Sequence, residues 1–145
     1  MHGGITMNAD LVNLIKSLGY GYSQQVFGEG VTGGISISTP FLDGNNDGIE
    51  VYAWQLDDST IEITDDGFTF AGEYDHPLEH ALFIAELLKS YPNVRMFGRQ
   101  IVCQTKKETF VQDFYVYMSA LMHLVGFFEH GERWQEWHDR CCDKE

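Results

Sequence analysis

Two short runs have residue types and spacing that could do chemistry. In Asp43-Gly44-Asn45-Asn46-Asp47-Gly48, oxygen-bearing side chains fall at the first, third and fifth places and a glycine at the sixth. That is the opening of a calcium-binding EF-hand loop, which ends on a bidentate glutamate at its twelfth place. Here the twelfth place is Trp54, and the segment that follows alternates like a strand. Asp, Asn and Gly are also the residues that make tight polar turns. The run is therefore read as a turn, with Asp43, Asn45 and Asp47 as weak candidate ligands for a divalent cation. The second run, His76-Pro77-Leu78-Glu79-His80, matches the H-x-x-E-H pattern of inverted zinc peptidases. Two histidines four apart share a helix face and could hold zinc. Pro77 places His76 at the helix start, however, and no third ligand follows at a convincing spacing. The competing reading is a helix N-terminus with Asp75 and Glu79 at its positive end. His138, Cys141 and Cys142 form a third, incomplete ligand set.

Carboxylates far outnumber these histidines. Between Lys16 and Lys89 lie 72 residues with no lysine or arginine and thirteen aspartates and glutamates, in a chain of net charge −13. Such a field repels nucleic acid and anionic membrane and attracts cations and basic protein surfaces. A two-metal nuclease built on Asp43, Asp47, Glu50 and Glu62 would need these carboxylates to converge across strands. It would also need basic residues to hold phosphate, and this half of the chain has none. The Gly28-to-Gly33 run lacks the strand–turn–helix context of a phosphate loop. No serine, threonine or cysteine stands in a recognisable nucleophile setting. No cofactor is expected.

The elements that must position these groups follow from periodicity. Asn8 to Leu18 reads as a helix capped by Asn8, with Leu11, Leu14, Ile15 and Leu18 on one face and Gly19 ending it. A glycine-rich passage follows, with a short strand near Gln25 to Phe27. Ile35 to Ser38, Ile49 to Leu56, Ile61 to Thr64 and Phe68 to Ala71 alternate as four strands. Pro40 ends or bends the first. Asp57-Asp58-Ser59 and Asp65-Asp66-Gly67 are tight turns between the others. These strands make an antiparallel meander with one wet face. A second helix, Asp75 to Tyr91, sets Leu78, Leu82, Ala85 and Leu88 in a stripe. Val94 to Thr105 is a strand pair or one strand bent at Gly98. From Glu108 to about Gly126 a long helix carries Phe110, Phe114, Tyr117, Leu121 and Leu124, and a further helical stretch contains Trp134 and Trp137. The expected fold is α+β: an antiparallel meander packed against helices, with a long aromatic-rich C-terminal helix.

At 145 residues, 43% hydrophobic and 14% aromatic, the chain is long enough for one domain over residues 1–145 with its own core. Residues 1–7 are expected to lie outside it, disordered or as sequence upstream of Met7. No basic-then-apolar leader and no apolar run of spanning length is present, and three cysteines make a poor disulfide framework. The expectation is a cytoplasmic protein with reduced thiols.

Thr39-Pro40-Phe41-Leu42-Asp43, then Asn46-Asp47, then an alternating strand and Ile63-Thr64-Asp65-Asp66-Gly67-Phe68-Thr69-Phe70 make up a connected string. It resembles a family of bacterial and phage proteins, domain of unknown function 1828, over roughly residues 33 to 90. The resemblance fades in the glycine-rich approach and in the aromatic C-terminal helix. It implies no catalytic residues, and it implies a prokaryotic or mobile-element origin.

The function expected from these features is non-enzymatic binding. Asp43, Asp47, Glu50, Asp57, Asp58, Glu62, Asp65 and Asp66 would form an acidic face that imitates nucleic acid. Its partner would be a protein with a basic nucleic-acid-binding surface, in the manner of an anti-CRISPR or anti-restriction inhibitor. No direct contact with nucleic acid or membrane is expected. The alternatives are an accessory domain of a mobile element, dimerising through Phe114, Tyr117, Trp134 and Trp137, or a metal-dependent hydrolase or nuclease.

Overall fold

The computed structural model describes residues 3–25, 34–42, 47–67, 69 and 81–129. Six strands form one antiparallel sheet: β1 (Gly21–Gln25), β2 (Gly34–Leu42), β3 (Gly48–Gln55), β4 (Ile61–Thr64), β5 (Val94–Phe97) and β6 (Gln100–Thr105). Three helices are described: α1 (Gly3–Lys16), α2 (Ala81–Leu88) and α3 (Phe110–Glu129), the last preceded by a 3₁₀ turn at Lys107–Thr109. The fold is α+β. None of the described helices is long and apolar enough to cross a membrane.

The alternation predicts the sheet faces correctly. Ile35 pairs with Ala53 and Ile37 with Val51. Ala53 in turn pairs with Ile63, and Ile63 with Cys103. Paired residues share a face, so these side chains form one apolar surface. Leu11, Ile15 and Leu18 of the α1 region, Ile84 and Leu88 of α2, and Phe110, Phe114, Tyr117, Leu121 and Leu124 of α3 close over it in one core. The other sheet face carries Ser38, Glu50, Tyr52, Trp54, Glu62 and Gln104. It is only partly wet, because Ser36, Thr64 and Val102 on that face are buried.

Strand order is where the structure departs most from the expectation. The order is β1-β2-β3-β4-β6-β5. β6 pairs with β4 and so occupies the place expected of a strand at Phe68 to Ala71. Of that expected strand only Thr69 is among the described residues; Phe68, Phe70 and Ala71 lie outside them. Asp66 and Gly67 take positive φ of 53° and 82°. Thr69 then donates its N–H back to Asp65 rather than entering a ladder.

Other boundaries shift for local reasons. α1 starts at Gly3, so Asn8 lies inside the helix and not at its start. Gly19, at φ 80°, closes its C-terminal turn as expected. β1 is described over Gly21–Gln25, and Val26 and Phe27 of the expected strand lie outside the described residues. Pro40 bends β2 without ending it: the β2–β3 register slips between Ser38 and Leu42, and pairing resumes at Leu42–Gly48. In α2 the expected stripe is rotated, with Leu82 90% exposed and Ala85 exposed while Ile84 and Leu88 are buried. The Val94-to-Thr105 region resolves into the β5–β6 hairpin, with Gly98 at φ 60° in its turn.

Candidate functional site

The bent part of β2 and the Asp65-Asp66-Gly67 turn face each other across the start of β3. Between them is a cleft of about 490 Å³ lined by Ser38, Thr39, Gly48, Ile49, Glu50, Tyr52, Asp65, Asp66 and Gly67. The slip in register at Pro40 opens it. Thr39 is buried, and its Oγ1 donates to the Ile49 carbonyl at 2.6 Å, which holds the bent strand against β3. Glu50 and Tyr52 project on one side of β3, because they are two residues apart on a strand. Ser38 Oγ donates to Glu50 Oε1 at 3.5 Å. Tyr52 pairs with Thr64, which brings the Asp65–Gly67 turn beside it.

Asp65 builds that turn. It is 0% exposed. Its Oδ1 accepts from the N–H groups of Gly67 at 3.0 Å and Ile101 at 2.9 Å. Its Oδ2 accepts from the Thr69 N–H at 2.9 Å. Burying a carboxylate is costly unless its oxygens are satisfied, and here backbone donors from two chain segments do so. Tyr117 supports the same place from α3, donating its hydroxyl to the Ile101 carbonyl at 2.6 Å. Burial raises the Tyr117 pKa well above its ordinary value, and the charge of Asp65 adds to that. Gly67 is glycine for its backbone, at φ 82°: an added Cβ would meet the Arg99 carbonyl only in ordinary contact, at 3.6 Å, but on a conformation that side chains rarely adopt.

The eight expected acidic-face residues therefore separate. Asp47, Glu50 and Asp66 are exposed at one end of the sheet. Asp57 and Asp58 are exposed at the other end, roughly 25 Å away along β3. Glu62 is half-buried and accepts from Trp54 Nε1 at 2.9 Å. Asp65 is a correction: it is in the interior, committed to backbone N–H groups, and no partner can reach it. Asp43 lies outside the described residues.

The long basic-free stretch is also not a basic-free surface. β6 lies beside β4, so Lys106 and Lys107 follow Thr105 to the Asp57–Asp58 end, where the charge of Asp58 helps raise the Lys107 pKa, behind the stronger effect of its bond to Asp10. Lys107 Nζ meets Asp10 Oδ2 at 2.8 Å. The Gly98–Arg99 turn arrives near Asp65–Gly67 in the same way. The described residues that line the cleft include neither lysine nor arginine.

Asp57 has a structural task of its own. Its Oδ1 accepts from Ser59 N at 2.8 Å, Ser59 Oγ at 3.1 Å and Thr60 N at 2.8 Å, closing the β3–β4 turn. The Ser59 bonds are the main reason its pKa is lowered. A lowered folded-state pKa stabilises the fold above the unfolded value of 3.8, and the contribution disappears as pH falls through the folded value. Asp57→Ala should therefore lower the melting temperature at pH 6, and the gap to the parent should close as the pH approaches 2. Thermal melts across that range check this, and a gap independent of pH would contradict it.

The expected metal and partner sites fare differently. Among the described residues no three of His, Cys, Asp and Glu lie together in a way that could hold a metal ion. Glu50 and Glu62 do not converge: they are four places apart on the ladder, since Glu62 pairs with Trp54, which separates them by roughly 13 Å along β3. Asn45, His76 and His80 lie outside the described residues, as do Trp134, Trp137, His138, Cys141 and Cys142. Phe114 and Tyr117, placed on an oligomer or partner surface only by the alternative reading of the aromatic stripe, are both 0% exposed and belong to the core. The exposed side of α3 instead presents Val111, Tyr115 and Ser119.

Tyr52 was not among the candidate residues. Its sequence signal was its place between Glu50 and Trp54 on the polar side of an alternating strand. Burial raises its pKa, and the charges of Glu50 and Asp66 add to the effect.

Comparison with known families bears on this cleft. Residues 39–124 match the family described as Domain of unknown function DUF1828. The chain belongs to the DUF1828 family. The match begins at Thr39 in the bent strand and runs through β6 and most of α3, well past residue 90 and into the aromatic helix. Both halves of the string that resembles the family meet at the cleft: Thr39 on one wall, Asp65, Asp66 and Gly67 on the other. No curated protein matches the chain, and no solved structure does.

Proposed function

We propose that this DUF1828 protein is a non-enzymatic acidic binding protein whose partner presents a basic surface of the kind that holds nucleic acid. The supporting observation is the cleft end of the sheet. Glu50 and Asp66 flank Tyr52 there, Asp47 lies at the adjoining start of β3, and the described cleft lining contains no basic side chain. The Asp57–Asp58 end has Lys106 and Lys107 beside it and is the poorer half of a phosphate-like row. The imitation of nucleic acid is accordingly local, a short acidic edge and not a duplex-length track. A phage or mobile-element inhibitor of a bacterial defence nuclease is the role that fits such an edge.

Displacement of labelled duplex DNA from a panel of purified defence nucleases tests the reading. The parent protein should displace DNA from its target at about 50 mM salt and lose most of that effect by about 200 mM. The double reversal Glu50→Lys/Asp66→Lys should slow association by about tenfold or more while the fold is retained. Equal displacement by parent and double reversal, or none from any nuclease at low salt, would sink the proposal.

One observation favours a second reading, the accessory dimerising domain. The exposed side of α3 presents Val111, Gln112, Tyr115 and Ser119, and it is uncharged in a chain of net charge −13. Two copies meeting there would bring no like charges into contact. Light scattering of the parent and of Tyr115→Glu separates this reading from the first.

A further inference from the structure

The cleft at the bent strand joins two exposed carboxylates to an aromatic side chain. Its volume of about 490 Å³ is in the range of pockets that enclose a small ligand or an inserted side chain. The charged groups exposed in it are acceptors: the carboxylates of Glu50 and Asp66, on either side of Tyr52. Thr39 Oγ1 and Ser38 Oγ have already directed their hydrogens to the Ile49 carbonyl and to Glu50. Asp65 is occupied by backbone N–H groups and takes no part. The complement to such a lining is a multiple donor with positive charge. Between the carboxylates lies the half-buried Tyr52 ring, which offers an aromatic surface. A planar guanidinium has five donors and stacks on aromatic faces, whereas an ammonium is a compact, strongly hydrated point charge.

We propose that the cleft binds an arginine side chain of the partner protein, with Glu50 and Asp66 accepting from the guanidinium and Tyr52 packing against its plane. The assignment rests on the proposed function above and names the group that function would engage.

Amide-resolved NMR titration of the full chain tests it with three probes: N-acetyl-arginine amide, N-acetyl-lysine amide and free arginine. The capped arginine should give saturable shifts at residues 48–52 and 65–67. It should bind about threefold or more tighter than the capped lysine. Free arginine has the same net charge as the capped form, its α-ammonium offsetting its carboxylate, and should bind within about twofold of it. Tyr52→Leu should abolish the preference for arginine over lysine with the rest of the spectrum unchanged. Glu50→Gln/Asp66→Asn should weaken both capped probes. Shifts that map elsewhere, equal affinity for arginine and lysine, or a free arginine affinity outside that range would each overturn the assignment. If the capped arginine misses the cleft while the parent still displaces DNA from a nuclease in a salt-dependent way, this inference fails and the broader function stands.

Discussion

Asp65→Ala is expected to destabilise the fold by about 3–4 kcal/mol, a large share of the roughly 5–15 kcal/mol that holds a domain together. The substitution strands three buried N–H groups, those of Gly67, Thr69 and Ile101. Each unsatisfied donor costs about 1–3 kcal/mol. Removing the carboxylate also removes the cost of burying a charge, which offsets several kcal/mol of that total. Asp65→Asn keeps the shape and one acceptor oxygen, but it turns an NH₂ toward a backbone donor, so it should fall between alanine and the parent. Asp58→Ala, at an exposed turn position, should stay within about 0.5 kcal/mol. Urea unfolding of the three variants checks the order. An Asp65→Ala loss below about 1 kcal/mol would show that the turn does not depend on this carboxylate.

Phe114→Ala should be comparably severe, at about 3–5 kcal/mol, the usual cost of deleting a buried phenylalanine. Phe114 is fully buried and its ring lies 6.1 Å from that of Phe110 and 6.0 Å from that of Tyr20. The effect should appear in the unfolding midpoint. If Phe114 were a partner-facing residue, the alanine variant would instead keep its stability and lose only association. Tyr115→Ala is the contrasting variant: its side chain is 41% exposed, so its stability loss should be the smaller of the two.

Asp65 and Phe114 also mark the boundary between what is legible in the sequence and what is not. The strands are legible because Ile49, Val51 and Ala53 alternate with Glu50, Tyr52 and Trp54, and a two-residue period is the signature of a pleated strand with one buried face. The turns are legible because Asp-Gly pairs tolerate positive φ. Asp65 is misplaced by sequence because carboxylates are nearly always outside. Only the three-dimensional return of Ile101 completes the set of donors that makes its burial tolerable, and a contact that distant in the chain leaves no local pattern. Phe114 and Tyr117 are left open by sequence between core and partner surface, because α3 is apolar over more than half its circumference and periodicity alone does not say which part meets the sheet. In α2, the choice between Leu82 and Ile84 depends on the helix phase, which a short apolar segment does not fix. The cleft is partly legible, through Glu50 and Asp66, but the bend at Pro40 that opens it depends on a register slip between two strands.

The position of β6 between β4 and β5 has a consequence for how the chain reaches this fold. β2, β3 and β4 can zip as local hairpins soon after they collapse. β4 then has an open edge until the chain through α2 and β5 has been formed and β6 docks, with Thr64 meeting Val102. Closing so long a loop carries an entropy cost that is offset only once the ladder forms, so this pairing is the natural candidate for the slow step of folding. The turn at Asp65 is completed in the same event, because the Ile101 N–H arrives with β6. The cleft wall formed by that turn is thus finished last, and a nascent or truncated chain that stops before β6 exposes an adhesive strand edge in place of a binding site.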